Sequence, residues 1–237
     1  MIENFADAEL PDQLIGFKYP LSRLAAALRA NGRVKIVAMG SSSTAGREDV
    51  VPYPYRLEMY LRAATGNSGI DVLNRGRGGE EAIEELPRFD ADVFAEKPSL
   101  VIWQVGTNAV FHREKYDVDD VAANIAVGVD RIRAHADQMD VLLIDPQYVP
   151  AMLLDDKAEL SERMVSLIAA VAETAGVNVF RRWALMRHWH VQNNIGFDRM
   201  LDPTDGDRLH QSDGSMLRIS RGLAEVIRKA TTAPAST

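Results

Sequence analysis

The stretch "VKIVAMGSSSTAGRED", from Val34 to Asp49, sets Ser41, Ser42 and Ser43 directly after a run of mostly apolar residues. A serine hydroxyl attacks an acyl carbon only when an imidazole takes its proton, a carboxylate fixes the imidazole tautomer and preorganised donors receive the oxyanion. Residues suited to each task occur further along. "DGDRLHQSDG" places Asp207 three residues before His210, "GTNAV" carries Asn108, and "RGRGGEE" supplies glycines that include Gly79. Singly, each has a plainer use, because serine and aspartate cap helices, glycine makes turns and asparagine tolerates positive φ. Together they make up the set that acyl transfer requires, although composition and period alone do not choose among the three serines.

The elements that would position these residues are legible as alternating periods. Five short aliphatic runs, "RVKIVAM", "IDVLN", "LVIWQV", "VLLID" and "VNVF", end at Met39, Asn74, Val105, Asp145 and Phe180, and each reads as a strand buried on both faces. Between them lie helical spacings such as Leu57, Tyr60, Leu61 and Ala64, or Val121, Ile125, Val129 and Ile132. Strands alternating with helices predict a three-layer α/β/α fold around a five-stranded parallel sheet. Ligands in such sheets bind outside the carboxyl ends of the strands, where "GSSSTAG", "RGRGGEE", "GTNAV" and "DPQYVP" fall. One domain is expected over residues 1–237, with a helical extension over 1–32, an irregular substrate-side insert over 181–206 and a flexible tail over 231–237. In the extension, Leu21, Leu24, Ala25 and Leu28 have helical spacing, and Gly32 is placed to supply a left-handed C-cap.

Composition closes off several classes. The formal net charge of -7 argues against a nucleic-acid partner, and the absence of cysteine removes disulfides, thiolate metal sites and cysteine nucleophiles. No segment approaches the roughly 18 uninterrupted apolar residues of a membrane span. "MIENFADAEL" lacks a basic region followed by an apolar core, so no signal peptide is read; the expectation is a cytoplasmic protein, or an exported one if the chain is a trimmed mature form.

The residues resemble those of the SGNH hydrolases, the superfamily of GDSL esterases and lipases, from Gly40 to about the end of the last helix. "GSSSTAG" is similar to the first family block, with Gly40, Ser42, Thr44 and Gly46 in place. "NRGRGGE" looks like the second and aligns the oxyanion-hole glycine with Gly79, "GTN" the third with Asn108, and "DRLH" the last with Asp207 and His210. The resemblance implies a flavodoxin-like SGNH fold and a mechanism without cofactor or metal. In it Ser42 is the nucleophile, His210 the general base and then acid, and Asp207 the residue that holds the imidazole. The oxyanion would receive the backbone N–H groups of Ser42 and Gly79 and the side-chain amide of Asn108. Two positions depart from the pattern: Ser41 and Ala109 stand where the family commonly has aspartates.

Rival motifs fail on spacing. Ala45 occupies the second-glycine position of a phosphate loop counted from Gly40, Glu81 occupies the last-glycine position of a dinucleotide fingerprint counted from Gly76, and GxSxG is absent. His188 and His190 in "RHWH" would point about 200° apart on a helix, which favours packing over metal ligation. Trp103, Trp183 and Trp189 either belong to the core or, with Tyr148, line a substrate rim able to stack on a sugar. The expected activity is hydrolysis of a small-molecule or carbohydrate acyl ester, probed as acetyl first because no lipid-binding lid is evident. The alternatives are an acyltransferase or thioesterase, or a catalytically silent ligand-binding domain on the same scaffold.

Overall fold

A computed structural model describes residues 8–47, 49–135 and 137–232. The expected strands are all present: β1 Val34–Met39, β2 Ile70–Asn74, β3 Leu100–Gln104, β4 Asp140–Ile144 and β5 Asn178–Phe180. They pair in parallel in the order β2-β1-β3-β4-β5, the flavodoxin-like order. Every residue of the central strand β3 is buried, as are Ile36, Val37, Ala38 and Met39 of β1. That burial on both faces is why the sequence runs are continuous rather than alternating. The register pairs Ala38 with Asn74, Met39 with Trp103, Gln104 with Ile144 and Ile144 with Phe180, so the carboxyl ends of the strands line one edge.

Six longer helices cover the sheet: α1 Ser22–Arg29, α2 Tyr53–Thr65, α3 Val118–Arg133, α4 Lys157–Ala175, α5 Arg182–Val191 and α6 Asp213–Thr232. The chain leaves β1 toward β2 in one direction and runs β3, β4, β5 in the other. Right-handed crossovers therefore put α2 on one face and α3 and α4 on the opposite one. Accordingly α6 packs on α2 and α1, while α3 packs on α4. Leu57 and Leu61 of α2, and Val121, Ile125, Val129 and Ile132 of α3, are buried as their spacing predicts. The side chain of Asp117 accepts the N–H groups of Asp119 and Asp120 and so starts α3.

Three local expectations change. The left-handed residue after α1 is Asn31, at φ 51°, and not Gly32; asparagine is one of the few L-residues that adopts this conformation readily. The insert over 181–206 is not irregular throughout, because residues 182–191 form α5. Trp183, Leu185, Met186 and Trp189 of that helix are all buried on one broad face, but buried Arg182 on that face and exposed Val191 on the other blur the amphipathic stripe in the sequence. At the other end α6 continues through Thr232, so residues 231 and 232 of the expected tail are helical, and 233–237 lie outside the described residues.

The connection from β2 to β3 carries two carboxylates inward. Glu85 is 1% exposed and accepts the indole N–H of Trp103. Burial, and after it the charge of Glu81, pushes the Glu85 carboxyl up to about 8. Unfolded chains release this proton near the ordinary value of 4.5 while the folded protein keeps it, so the associated stability is complete below 4.5 and is lost as the pH rises through about 8. The thermal midpoint of the wild type should therefore fall more steeply across this window than that of Glu85→Gln. Equal slopes in the two proteins would contradict a protonated Glu85.

Candidate active site

The chain turns sharply after β1 into a one-turn helix, Ser42–Ala45. Ser41 and Ser43 are buried at 3% and 7% exposure, whereas Ser42 is half-buried and open to the strand-end edge. Its Oγ lies 2.9 Å from Nε2 of His210, 168 positions away. This contact singles out Ser42 among the three serines on geometry alone.

The second block lies directly against this turn. Asn74 donates its amide to the carbonyls of Thr44 and Ala45 at 2.7 and 3.2 Å, and accepts the N–H of Gly76 at 3.0 Å. A Cβ on Gly76 would sit 2.3 Å from the Ala45 nitrogen, so only glycine admits this approach. One on Gly78 would sit 3.8 Å from the Ser42 Cβ, which puts the Gly78–Gly79 segment beside the nucleophile candidate. Gly79 itself has φ +79° with open space around it. Asn108 is buried in the short helix that follows β3 and donates one amide hydrogen to the Glu80 carbonyl at 2.8 Å. The third block is thereby tied to the residue after Gly79.

The aspartate beside the imidazole is Asp205 and not Asp207. Asp205 Oδ2 lies 3.0 Å from Nδ1 of His210 and also accepts the backbone N–H groups of Leu209 and His210 at 2.8 and 2.7 Å. The reason is a turn that spacing cannot reveal. Asp205 N–H donates to Asp202, Arg208 N–H donates to Asp205, and Arg208 adopts φ 55°, which folds Asp205 beneath His210 and leaves Asp207 exposed. Burial pushes the Asp205 carboxyl up, but the N–H groups of His210 and Leu209 and then the imidazole outweigh it and bring the group down to about 2.

Arg47 was not anticipated. Its Nη1 is 2.6 Å from Asp205 Oδ1 and 2.8 Å from Nδ1 of His210. A ring nitrogen makes only one of these hydrogen bonds at a time. Nε2 can accept the Ser42 proton only when Nδ1 carries the other ring proton, and that proton can go to Asp205 but not to Arg47. In this tautomer Arg47 acts on Asp205, holding its second oxygen.

Ser41, where a carboxylate was expected, belongs to an uncharged network. Its N–H and Oγ both donate to Oε1 of Gln104, at 3.3 and 3.2 Å, and Thr44 Oγ1 joins them at 3.4 Å. Gln104 Nε2 donates to Thr107 Oγ1, Thr107 to Gln147 Oε1, and Gln147 Nε2 to the Leu209 carbonyl beside His210. Side chains from three strand ends thus connect the serine turn to the histidine loop.

The aromatic rim is only partly realised. Trp189 is fully buried and donates its indole N–H to the Glu9 carbonyl at 2.6 Å, so it is core and cannot meet a substrate. Trp103 is core as well, while Trp183 is 3% exposed and packs edge-on against half-buried Tyr148 at 5.0 Å. His190 stacks on Phe197 at 3.9 Å beside Tyr148, and His188 meets Glu9 at 3.0 Å. A cleft of about 770 Å³ runs between α4, α5 and the N-terminal segment and reaches neither Ser42 nor His210. At the serine itself there is a recess of about 20 Å³, lined by Ser42, Gly46, Pro52, His210 and Met216 among others.

A parallel sheet of this strand order, with a serine and a histidine in contact at its carboxyl edge, is the architecture of the SGNH-type hydrolases. The chain belongs to the Non-GDSL lipase-like family, whose model matches residues 7–233. Among solved structures it is similar to the acetylxylan esterase Axe2 from Geobacillus stearothermophilus, with a TM-score of 0.68 and 20% identity over 83% of this chain and 95% of that one. It is also similar to LAE5, an alpha/beta hydrolase enzyme from the metagenome of Lake Arreo, with a TM-score of 0.66 and 21% identity over 84% and 95% of the two chains. A curated relative, the uncharacterized lipoprotein YqeF of Bacillus subtilis, is 33% identical over 85 residues, 35% of this chain and 35% of that protein. Among the described residues no helix is long and apolar enough to cross a membrane. Catalytic mutants of Axe2 replace a serine, a histidine and an aspartate, the aspartate three positions before the histidine, which is the spacing of Asp207 and His210 here. The two aspartates of this chain are therefore worth separating. Asp205→Asn should lower kcat by roughly 10³- to 10⁴-fold by favouring the wrong tautomer, and Asp207→Asn by less than about 3-fold. The reverse order of the two losses would reinstate Asp207.

Proposed function

We propose that this protein hydrolyses a short-chain acyl ester through an acyl-enzyme on Ser42. The observation that carries the reading is the 2.9 Å contact of Ser42 Oγ with His210 Nε2, backed on the far side of the ring by Asp205. Ser42 Oγ attacks the acyl carbon as its proton passes to Nε2. The resulting oxyanion is received by the N–H groups of Ser42 and Gly79 and by the Asn108 amide, one hydrogen of which remains on Glu80. Collapse expels the alcohol, protonated by Nε2; a water activated by the same nitrogen then releases the acid and restores the serine.

Acetyl is the favoured acyl group. A recess of about 20 Å³ beside Ser42 is on the scale of a single small group. Structural similarity to an acetylxylan esterase supports a carbohydrate acyl ester as the substrate class. Tyr148, half-buried after β4, is the aromatic residue retained as a sugar-facing candidate.

Two measurements test the reading. A fluorophosphonate probe should label wild type on the Ser42 peptide and leave Ser42→Ala unlabelled, with turnover of nitrophenyl acetate falling by at least about 10⁴-fold in that variant. Nitrophenyl acetate should exceed the butyrate by about 10-fold or more in kcat/KM. Labelling that persists without Ser42 would sink the nucleophile, and equal rates on both esters would sink the acetyl preference.

Asp205 stays charged until about 2, so the carboxylate that holds the imidazole persists well into acid. Wherever the fold is intact, the ratio of kcat/KM between wild type and Asp205→Asn should therefore hold as the pH is lowered; a ratio that collapses toward one in mild acid would mean that Asp205 is protonated there.

A further inference from the structure

Two of the three oxyanion donors assigned above come from separate segments, the Gly79 turn and the Asn108 turn, and a donor array works only if their spacing is fixed before substrate arrives. One side chain spans the gap. Glu81 follows Gly79 by two positions and is 2% exposed. Its Oε1 accepts the N–H of Ala82 at 3.0 Å and of Gly106 at 2.9 Å, and its Oε2 accepts the N–H of Ala109 at 3.1 Å. Gly106 and Ala109 bracket Thr107 and Asn108. The carboxylate thus grips the Asn108 turn on both sides, while the preceding residue, Glu80, supplies the carbonyl that orients the Asn108 amide.

The grip is anchored at both ends. Glu81 N–H donates to Glu84 Oε2 at 3.1 Å, and the two residues form a capping box that fixes the backbone of Glu81 at the start of the turn Ala82–Glu85. Gly106 sits at φ +85°, and a Cβ there would meet Ile168 and Met164 at 2.9 Å, so the turn is closely packed against the helix after β4 where its N–H meets Glu81. Ala109 stands where the family pattern has an aspartate, and the acceptor for its N–H is Glu81 from the preceding block instead. The carboxylate missing from one turn is supplied by the other.

We propose that Glu81 is a positioning residue for the oxyanion site, a single carboxylate that holds the Gly79 and Asn108 donors at one spacing. This rests on the esterase reading, in which Asn108 is an oxyanion donor. Glu81→Gln replaces one acceptor oxygen by an N–H₂ that must face a backbone donor. Glu81→Asp keeps the anionic cap on Ala82 but is one methylene too short to reach Gly106 and Ala109 together, and so separates capping from positioning.

The test is steady-state turnover of nitrophenyl acetate by wild type, Glu81→Gln, Glu81→Asp, Asn108→Ala and the double variant Glu81→Gln with Asn108→Ala, each confirmed as folded by circular dichroism. Both single Glu81 variants should lose on the order of 10- to 100-fold in kcat with KM within about 3-fold of wild type. In the Asn108→Ala background the Glu81→Gln change should cost less than about 2-fold more, because the donor it positions is already gone. Additive losses, a loss confined to KM, or a fully active Glu81→Asp would overturn the assignment, and should Glu81→Gln fail to fold, Glu81→Asp decides it. Ser42→Ala in the same assay keeps the two claims apart: if it retains activity the esterase reading fails, whereas an inactive Ser42→Ala with additive Glu81 and Asn108 losses overturns only the role of Glu81.

Discussion

One carboxylate organises the far half of the site. Asp205 is fully buried at its side chain and must have its lone pairs occupied by donors, because an ionised oxygen left without a partner is costly away from water. It takes the N–H groups of Leu209 and His210, the Nδ1 edge of the same imidazole and the guanidinium of Arg47. The first two bonds fold the loop and the third orients the ring that the loop carries. Local folding and side-chain orientation are therefore one event, and the position of His210 against Ser42 follows from it.

The remainder of the site obeys the same requirement of satisfied polar groups at buried strand ends. Gln104 ends the central strand, 2% exposed, and a buried amide in an aliphatic strand is tolerable only with partners. It finds them in Ser41 and Thr44 on one side and Thr107 on the other, and the bonds continue through Gln147 to the histidine loop. Neutral hydrogen bonds here do the bracing that a carboxylate at position 41 would otherwise provide, and Glu81 does it for the turn that ends in Ala109. The two departures from the family pattern are thus each matched by a partner nearby in the fold.

How much of this was legible depends on whether the cause was local. Strands buried on both faces announce themselves as aliphatic runs, and all five were found within a residue or two of their ends. Ser42 and Asn108 were picked out by family-like blocks at strand ends, where a parallel sheet gathers its ligand-binding residues, and His210 by the block just before the last helix. Asp207 was read from the Asp-x-x-His spacing of a motif that counts positions, whereas the residue that reaches the imidazole is decided by the turn at Arg208, whose positive φ has no glycine to signal it. Trp189 read equally well as rim or core, since buried Arg182 and exposed Val191 blur the apolar stripe of α5. The signal for Gln104 was present, a polar residue near the end of "LVIWQV", and it asked for a partner that only the fold could name.

Which aspartate holds the histidine is read directly from a proton spectrum. A hydrogen on Nδ1 of His210 shared with a buried carboxylate should give a resonance downfield of the amide region in the wild-type protein. It should persist in Asp207→Asn and vanish in Asp205→Asn. A resonance that survives the loss of Asp205 and disappears with Asp207 would contradict the arrangement on which the proposed chemistry depends.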